Sequence, residues 1–388
     1  MSQGNQLIGL VGDVLVNRDQ PDSAFDLIRE SLAVPDVLIG NCECAYAENA
    51  EHSPGVTVPV TASPSNIPSM ANAGFDVLTL ANNHALDAGH RGLFEMHEHM
   101  EKVGIAHCGT GRNLADARQP AIVKMGDTTI AVLSYASFFP RGYEALEDWP
   151  GLAPMRAWNH YRDRLPNVWS PGTPPIVTTV PHEEDVENLI EDIRAANEIA
   201  DIVIVQLHGG DYKTPFVLSD HELRTARFAI DQGAHAVAGH HHHVLRGMEW
   251  YDGAPIFYGL GHFVFDLKTF RGPREIVKGG PPLDPETDDS YDLAPREGWP
   301  WLPWHRDARM TLMAWLDVAD GHIRGAGFLP CMLNREGQVY PVDANSTEGS
   351  QVTDYVRKGC EVADLTGTFR VTKTKTFAGL ASVEMIRP

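Results

Sequence analysis

Short apolar runs alternate with amphipathic stretches along the first two thirds of the chain. Apolar runs of this length predict buried strands, whereas apolar residues spaced three and four apart predict helices that cover them. Strands that alternate with helices predict a layered α/β fold. The predicted strands are 7–16, 37–41, 76–84, 129–136, 201–211, 236–244 and 255–266, and the predicted helices include 91–104 and 183–200.

The stretch "SDHELRTARFAIDQGA" carries the start and the end of a further helix. Ser219 is suited to cap the first turn, and Glu222, three residues later, completes a capping box. Gly233 is suited to end the helix, because glycine adopts the left-handed conformation that helix ends require. This helix leads directly into the strand predicted at 236–244.

Two segments interrupt the alternation, at about 137–180 and 267–308. Long loops in a compact domain are typically lids, substrate walls or disordered segments. The chain has 388 residues, of which 43% are hydrophobic, and this suffices for the core of one large domain or of two smaller ones. We expect a single domain over residues 1–388 in which these two segments are long insertions.

The charge of the chain bears on its partners. The formal net charge is −21 at pH 7. A nucleic acid or an anionic membrane requires a basic face on the protein that binds it. We therefore expect neither of them as a partner.

The first residues lead into a strand without a basic segment or a long apolar segment, which argues against a secretory signal. No apolar run approaches the roughly 18 to 20 residues that span a bilayer. The five cysteines are scattered and lack the paired spacing of a zinc site, as expected for reduced thiols. These features predict a cytoplasmic protein.

A cluster of polar residues ends each of six apolar runs, at the edge where open α/β sheets bind their ligands. Six such clusters in chain order are hard to explain as solvated surface. They therefore predict a functional site. The clusters are Asp13; Asn41 and Glu43; Asn83, His84 and Asp87; His208 and Asp211; His240 to His243; and His262 and Asp266.

These stretches resemble the CapA-type proteins, a family named for poly-γ-glutamate capsule synthesis, whose fold is similar to that of calcineurin-like metallophosphatases. The likeness extends in order from about residue 7 to residue 266. It implies a four-layer α/β/β/α sandwich with the site at one edge of the two sheets. The matching stretches are "GDVLVNR", "NCECA", "ANNHALDAG", "QLHGGDY", "GHHHHVLRG" and "IFYGLGHFVFD".

The resemblance implies a set of metal ligands, with His84 beside them as the general acid. Imidazole and carboxylate groups suit Zn, Mn or Fe. Two such ions would activate water and bind a phosphoryl or carbonyl oxygen. The implied ligands are Asp13, Glu43, Asn83, His208, His241 and His243.

Two positions depart from the metallophosphatase pattern. That pattern has Asp-x-His at the first strand, and the histidine position here is Leu15. The bridging aspartate of its "GDxxD" motif has no counterpart except Glu43, which is one methylene longer and lies in a different frame. The ligand set is therefore incomplete for a binuclear centre.

The histidine run divides by side in an extended chain, because alternate side chains point to opposite faces. We expect His241 and His243 to face the site, whether or not they bind metal, and His240 and His242 to support them from the opposite side. Asp211, His262 and Asp266 are interpreted as groups that orient neighbouring imidazoles.

The late stretch "WPWLPWHRDARMTL" contains three tryptophans and His305 before another strand. The tryptophans alone are equally consistent with an aromatic plug over the sheet edge. His305 is a candidate acid or base facing an apolar pocket, since imidazole titrates near neutral pH. Arg306 and Arg309 are suited to pair with a carboxylate.

Two mechanisms remain open. In the first, a retained metal activates water for hydrolysis of a phosphoester or amide, with His84 as acid. In the second, which needs no cofactor, Asp13 and His305 lie on opposite faces of an acidic Cα–H and invert its stereocentre. In that second mechanism the groups that bind the substrate are Glu43, Asn83, His208, Trp301, Trp304, Arg306 and Arg309.

The second mechanism is also suggested by a looser resemblance to CapA-like proteins of lasso-peptide biosynthesis, which epimerise the C-terminal residue of a precursor peptide without metal. This likeness depends on Leu15, Glu43 and the segment with His305. We favour this peptide epimerase over the hydrolase. A role in capsule-polymer export is less favoured, because such machinery calls for a membrane anchor or a signal.

Overall fold

The computed structural model of the protein describes residues 6–48, 50–53, 56, 59–267, 299, 301 and 305–388. Two sheets and their helices form a mixed α/β fold, as the alternating pattern predicts. The strands are numbered in chain order. The larger sheet contains β1 (Gln6–Leu15), β2 (Val37–Cys42), β5 (Val77–Thr79), β6 (Ala106–Cys108), β17 (His262–Phe265), β18 (Met310–Ala319), β19 (His322–Leu333), β20 (Val339–Pro341), β21 (Phe369–Phe377) and β22 (Leu380–Met385).

The smaller sheet has six strands and supplies most of the histidines. Its members are β8 (Ala121–Met125), β9 (Thr128–Ala136), β13 (Ile202–His208), β14 (Ala236–His240), β15 (Met248–Tyr251) and β16 (Ala254–Phe257). Two-stranded sheets are formed by β3 (Ala45–Tyr46) with β4 (Thr61–Ala62), β7 (Thr110–Gly111) with β10 (Gly151–Leu152), and β11 (Ala157–Arg162) with β12 (Ile176–Pro181).

Parallel strands of the two large sheets position the site. In the larger sheet, β1 lies between β2 and β18, and β17 also pairs with β1 in parallel. In the smaller sheet, β13 lies between β9 and β14, parallel to both. Since the parallel strands β1, β2 and β17 share a direction, as do β9, β13 and β14, their carboxyl ends meet at the edge of each sheet.

The helices are α1 (Arg29–Leu32), α2 (Ile67–Asn72), α3 (Gly89–Val103), α4 (Leu114–Ala117), α5 (Glu183–Ile199), α6 (Asp220–Asp231) and α7 (Thr347–Val362). One apolar core contains residues of both large sheets, among them Leu10 and Ile204. A second core joins the larger sheet to α3, and a third joins the smaller sheet to α5 and α6. Burial of these apolar surfaces stabilises the arrangement.

Most of the predicted elements are confirmed, but the run 255–266 is wrong as a single strand. It forms β16 in the smaller sheet and β17 in the larger one. The chain passes between the two sheets through Gly259, Leu260 and Gly261, and Gly261 has a φ of 70°. Glycine adopts this left-handed conformation without steric cost, which permits the crossing.

The predicted capping box is confirmed at α6, where Ser219 and Glu222 interact reciprocally, and Gly233 follows the helix with a φ of 106°. The segment 137–180 contains β10, β11 and most of β12, so it is partly a β-hairpin. Much of the segment 267–308, including Trp304, lies outside the described residues. Among the helices that the structure describes, none combines the length and apolarity needed to cross a bilayer.

A pair of stacked imidazoles near α3 makes a prediction about acid stability. His97 and His107 stack with centroids 4.3 Å apart. Burial, together with the charges of His107 and Arg112, lowers the pKa of His97 to about 3. His97 therefore stays neutral in the folded state, while in the unfolded chain it binds a proton below about pH 6.5, so folding stability falls as the pH drops through that window.

We expect His97→Gln to reduce the loss of stability between pH 7 and pH 5 by about 1–2 kcal/mol. Urea unfolding of both proteins at the two pH values measures this difference. The exposed His160 on β11 provides the control, and His160→Gln should keep the wild-type pH dependence. Equal pH dependence of wild type and His97→Gln would contradict the prediction.

Candidate functional site

Asp13 occupies the centre of the larger sheet near the carboxyl end of β1. It lies in register with Asn41 on β2 and with His262 on β17. Its backbone N–H donates to the carbonyl of Gly261 at 3.0 Å. The preceding residue must be glycine, because a Cβ on Gly12 would come within 1.9 Å of the Gly261 carbonyl oxygen. This close approach of the two strands fixes the position of the carboxylate.

Gly12→Ala should destabilise the fold by about 1–3 kcal/mol, because the methyl group has to push the two strands apart. Gly325→Ala in β19 is the matched control, since a Cβ there would meet its nearest neighbour at 3.6 Å. Thermal or urea unfolding of both variants measures the difference. A Gly12→Ala protein as stable as Gly325→Ala would show that the close approach is not required.

The Asp13 carboxylate is fully buried and surrounded by imidazoles. Oδ1 accepts from the Asn41 amide at 2.8 Å and lies 3.5 Å from Nδ1 of His240, while Oδ2 lies 3.8 Å from Nδ1 of His243. Burial opposes ionisation, but the hydrogen bond and charge of His240, with the charges of His208 and His243, lower the pKa of Asp13 below its usual range. Asp13 is therefore ionised.

Glu43 is the second buried carboxyl group of the site. Its Oε1 lies 3.7 Å from Nε2 of His208 and 3.9 Å from Nε2 of His84. Within the described part of the chain, no N–H group donates to either Glu43 oxygen. Burial, with the negative charges of Asp13 and Asp87, raises the pKa of Glu43 well above its usual value. The pKa values of the two neighbouring carboxyl groups are thus shifted in opposite directions.

The turn after β5 supplies Asn83 and His84. Asn82 shapes this turn, since its side chain accepts from the His84 N–H at 3.1 Å and donates to the carbonyl of Cys42 at 2.8 Å. Nδ1 of His84 pairs with the buried Asp87 at 2.6 Å, and Tyr143 donates to the same carboxylate at 2.9 Å. This leaves Nε2 of His84 on the side of Glu43.

His208 ends β13 and has a defined proton position. Nδ1 of His208 lies 3.2 Å from the Asn41 amide nitrogen, which is a donor, so Nδ1 accepts. Nε2 therefore carries the hydrogen and donates to Oδ1 of Asn83 at 2.7 Å. Burial, together with the charges of neighbouring histidines, lowers the pKa of His208 well below its usual value, so the ring is neutral. Because its oxygen is used, Asn83 presents its amide N–H groups.

The histidine run is not extended, since His241 and His243 have φ values of 91° and 59°. The expectation for His242 is confirmed, because its Nε2 lies 2.6 Å from Glu222, away from Asp13. The expectation for His240 is wrong, because this ring lies beside Asp13 on the site side of β14. The expectation assumed that successive side chains of the run alternate between two faces. The positive φ values of His241 and His243 break this alternation.

His262 orients an imidazole as expected, because its Nε2 lies 2.6 Å from Nδ1 of His243. Asp266 and Asp211 do not have that role. Asp266 forms an ion pair with Arg18, and Asp211 accepts from the backbone and hydroxyl of the turn that follows it. Carboxylates satisfied in this way stabilise local structure and leave the imidazoles to other partners.

Aromatic rings form one wall of the site and were not predicted. The ring of Phe138 stacks on that of His241 with centroids 4.2 Å apart. Tyr212 contacts the rings of His241 and His243 at centroid distances of 5.5 and 6.2 Å. Phe138 is 44% exposed, so this wall reaches the surface. The sequence signal was present in "SYASFFP" and "HGGDY", directly after two of the predicted strands.

The side chains present fit a divalent metal. Both ring nitrogens of His241 are buried without a hydrogen-bond partner among the described residues. Burial and nearby imidazole charges lower the pKa of His241 well below its usual value, and the neutral ring is the form that ligates metals. Ligand atoms lie within 4.8 Å of one another in three groups: Asp13, His243 and His262; Glu43, His241 and His243; and Asp13, Glu43 and His208.

The segment of His305 leads into β18, which pairs with β1, the strand that bears Asp13. His305 is 6% exposed, and its Nδ1 accepts from the N–H of Asp307 at 3.1 Å, which caps a 3-10 helix (Arg306–Arg309). β18 follows, and the Thr311 hydroxyl donates to the carbonyl of Leu260, next to Gly261, at 3.3 Å. The pairing of His305 with Asp13 in one reaction stays a prediction.

Three neighbours of His305 predicted to bind substrate are also described. The Arg309 guanidinium lies 3.6 Å from the centroid of the Trp299 ring, so it packs as a cation on an aromatic face. The guanidinium carbon of Arg18 lies 5.3 Å from the centroid of the Trp301 ring. Arg306 lies 3.6 Å from Asp307. Substrate binding by Trp301, Arg306 and Arg309 remains a prediction.

Comparisons with known proteins relate the site to a family. The family model described as "Bacterial capsule synthesis protein PGA_cap" matches residues 7–267, the part that carries every polar cluster of the site. The PGA biosynthesis protein CapA of Bacillus subtilis is 28% identical over 267 residues, which cover 68% of this chain and 62% of that protein. The capsule biosynthesis protein CapA of Bacillus anthracis is 26% identical, over 66% of this chain and 59% of that protein.

The chain thus spans about 60% of the length of these two CapA relatives. A solved structure, a hypothetical protein from Thermus thermophilus, aligns with a TM-score of 0.46 and 15% identity over 87% of this chain and 99% of that one. The match of the family model covers well over half of the chain. This protein therefore belongs to the family of bacterial capsule synthesis proteins of the CapA type.

Proposed function

We propose that the protein is a peptide epimerase that inverts the Cα centre of a C-terminal residue in a ribosomal precursor peptide, without a metal. The observation that carries this proposal is the buried carboxylate of Asp13. Its Oδ1 is held by Asn41, while Oδ2 has no N–H donor within hydrogen-bond distance among the described groups. A buried carboxylate that is held in place and whose pKa is lowered is suited to remove a proton from carbon.

In the proposed reaction, Asp13 takes the Cα proton and the electron pair of the C–H bond passes into an enolate. His305, as imidazolium, returns a proton to the opposite face, which inverts the centre. Asp13 is then protonated and His305 neutral, and exchange with solvent restores both. The burial of His305 supports this role, and the Asp307 N–H, which donates to Nδ1, orients the neutral form of the ring.

Stabilisation of the enolate needs hydrogen-bond donors in a dry site. We assign this role to the amide of Asn83, held by the Nε2–H of His208, and to His84, held by Asp87. Glu43, whose raised pKa favours the protonated form, is a further donor. The peptide would be bound by Trp301, Trp304, Arg306 and Arg309, with an arginine paired to its terminal carboxylate. We also propose that the fold is a four-layer α/β/β/α sandwich, in which the two large sheets are the inner layers.

A metal-dependent hydrolase of the metallophosphatase type is the second candidate. It is favoured by His241 and Glu43, which are buried with polar atoms that find no donor or acceptor in the described part of the chain. A bound divalent ion would supply a Lewis acid for cleavage of a phosphoester or amide. The groups that would hold it are Asp13, Glu43, His208, His241, His243 and His262, joined by Asn83 in the pattern implied by the family.

Incubation with all-L peptides in D₂O, followed by mass analysis and chiral analysis of the C-terminal residue, tests the proposal. We expect uptake of one deuterium at Cα and appearance of the D residue. Peptide fragments or released phosphate without deuterium uptake would favour the hydrolase instead. The names of the relatives refer to capsule and PGA biosynthesis. A peptide-like substrate is compatible with those names.

A further inference from the structure

Behind the histidine loop, which we define as His240 to His243, lies a buried hydrogen bond between His242 and Glu222 that the proposed reaction does not use. Nε2 of His242 lies 2.6 Å from Oε1 of Glu222, and the two side chains are 1% and 10% exposed. This pair is on the opposite side of the loop from His241 and His243. Its position indicates a role in holding the loop.

The Glu222 carboxylate is itself fixed at both oxygens. Oε2 accepts from the backbone N–H of Ser219 at 2.7 Å, within the capping box of α6. Oε1 is occupied by His242. A carboxylate tied to the first turn of a helix has little freedom, so it can transmit the position of α6 to the histidine loop.

A third element packs against the pair. Gly210 follows β13 with a φ of 105°, and a Cβ on it would come 2.4 Å from Oε1 of Glu222 and 2.5 Å from Nε2 of His242. The chain after His208 therefore closes directly over the hydrogen-bonded pair of His242 and Glu222. One carboxylate thus connects α6, the turn that follows His208, and the loop that carries His241 and His243.

The loop needs such a support because its backbone is strained. His241 and His243 adopt positive φ values, which non-glycine residues hold only when their surroundings determine them. His242 lies between them, and its ring is held by the buried Glu222 carboxylate. We propose that Glu222 is a positioning residue that, through His242, sets the orientation of the His241 and His243 rings in the site.

Histidine-labelled protein observed by long-range ¹H–¹⁵N correlation NMR tests this inference, and it needs no substrate. The rings of His241 and His243 in Glu222→Ala should give shifted or broadened signals, because the loop loses its anchor. The control is Arg227→Gln on the same helix, which breaks the contacts of 2.8 and 2.9 Å with Glu249 of β15 and should leave those signals at their wild-type positions. Wild-type signals for both rings in Glu222→Ala would overturn the inference.

Glu222→Gln keeps the fold testable if the alanine variant does not fold. The glutamine oxygen would stay on the Ser219 N–H, and its amide group would then donate to Nε2 of His242. The proton of His242 should move to Nδ1, so that Nε2 changes from a pyrrole-type to a pyridine-type ¹⁵N signal, and the signals of His241 and His243 should shift with it. A changed His242 signal with unchanged signals of both neighbours would overturn the inference.

The expected effect on catalysis rests on the proposed function. Loss of a group that orients the groups of a site commonly lowers activity by about 10- to 100-fold. We expect this loss in kcat of Glu222→Ala, with little change in KM and with wild-type kcat in Arg227→Gln. If no epimerase activity is found in any variant, the proposed function fails, while the NMR result still decides the role of Glu222.

Discussion

Asp13→Asn is expected to lower the rate of deuterium incorporation at the substrate Cα by about 10²- to 10⁴-fold, the usual contribution of a general base. The amide has nearly the shape of the carboxylate, and its oxygen can still accept from Asn41. The variant therefore removes the base with little change in packing. Mass spectrometry of peptides incubated in D₂O measures the rate.

Asp211→Asn is the matched control for Asp13→Asn. Asp211 also follows a strand of the site, but its carboxylate accepts from the backbone of Lys213 and Thr214 and from the Thr214 hydroxyl. We expect wild-type exchange in this variant. Wild-type exchange in Asp13→Asn would instead exclude Asp13 as the base, whatever the control shows.

His305→Asn should abolish inversion to a similar extent, by about 10²- to 10⁴-fold, because no group then returns a proton to the second face. Asparagine is a favourable helix N-cap, so the 3-10 helix that His305 caps should persist. Chiral analysis of the C-terminal residue measures inversion, and mass analysis measures exchange in the same sample.

The exposed His322 at the start of β19 provides the control for His305→Asn. His322→Asn introduces the same change of residue type away from the site and should keep full activity. Full inversion and exchange in His305→Asn would remove His305 from the mechanism, and normal exchange in both the Asp13 and His305 variants would remove the proposed mechanism as a whole.

Much of the site could be predicted from the sequence because its side chains follow apolar runs. The carboxyl ends of parallel strands meet at one sheet edge, so the order of the clusters was sufficient to bring Asp13, Glu43 and His208 together. The capping box at Ser219 and Glu222 was predictable for a similar reason, since both partners lie within one helical turn.

The remainder depends on backbone conformations that residue type does not reveal. His240 was assigned to the wrong side because positive φ values at His241 and His243 are rare for histidine. The run 255–266 reads as one strand, so its division between the two sheets could not be predicted. Only the crossing at Gly261 brings His262 beside Asp13 in the larger sheet.

Contacts between distant segments could not be predicted from the sequence either. The pairing of His242 with Glu222 joins two residues 20 positions apart through the approach of α6 to the histidine loop. The stacking of Phe138 on His241 depends on the pairing of β9 with β13 and of β13 with β14. No local pattern encodes these distances, because they follow from the packing of whole elements.

The central claim is metal-independent proton transfer at Asp13, and deuterium incorporation by chelator-treated protein tests it most directly. The protein would be stripped of metal, its metal content verified by elemental analysis, and its peptide substrate followed in D₂O. We predict deuterium uptake and inversion at the rate of untreated protein. Loss of activity on chelation, with recovery on addition of Zn, Mn or Fe at about one or two equivalents, would contradict the claim and establish the metal-dependent reaction instead.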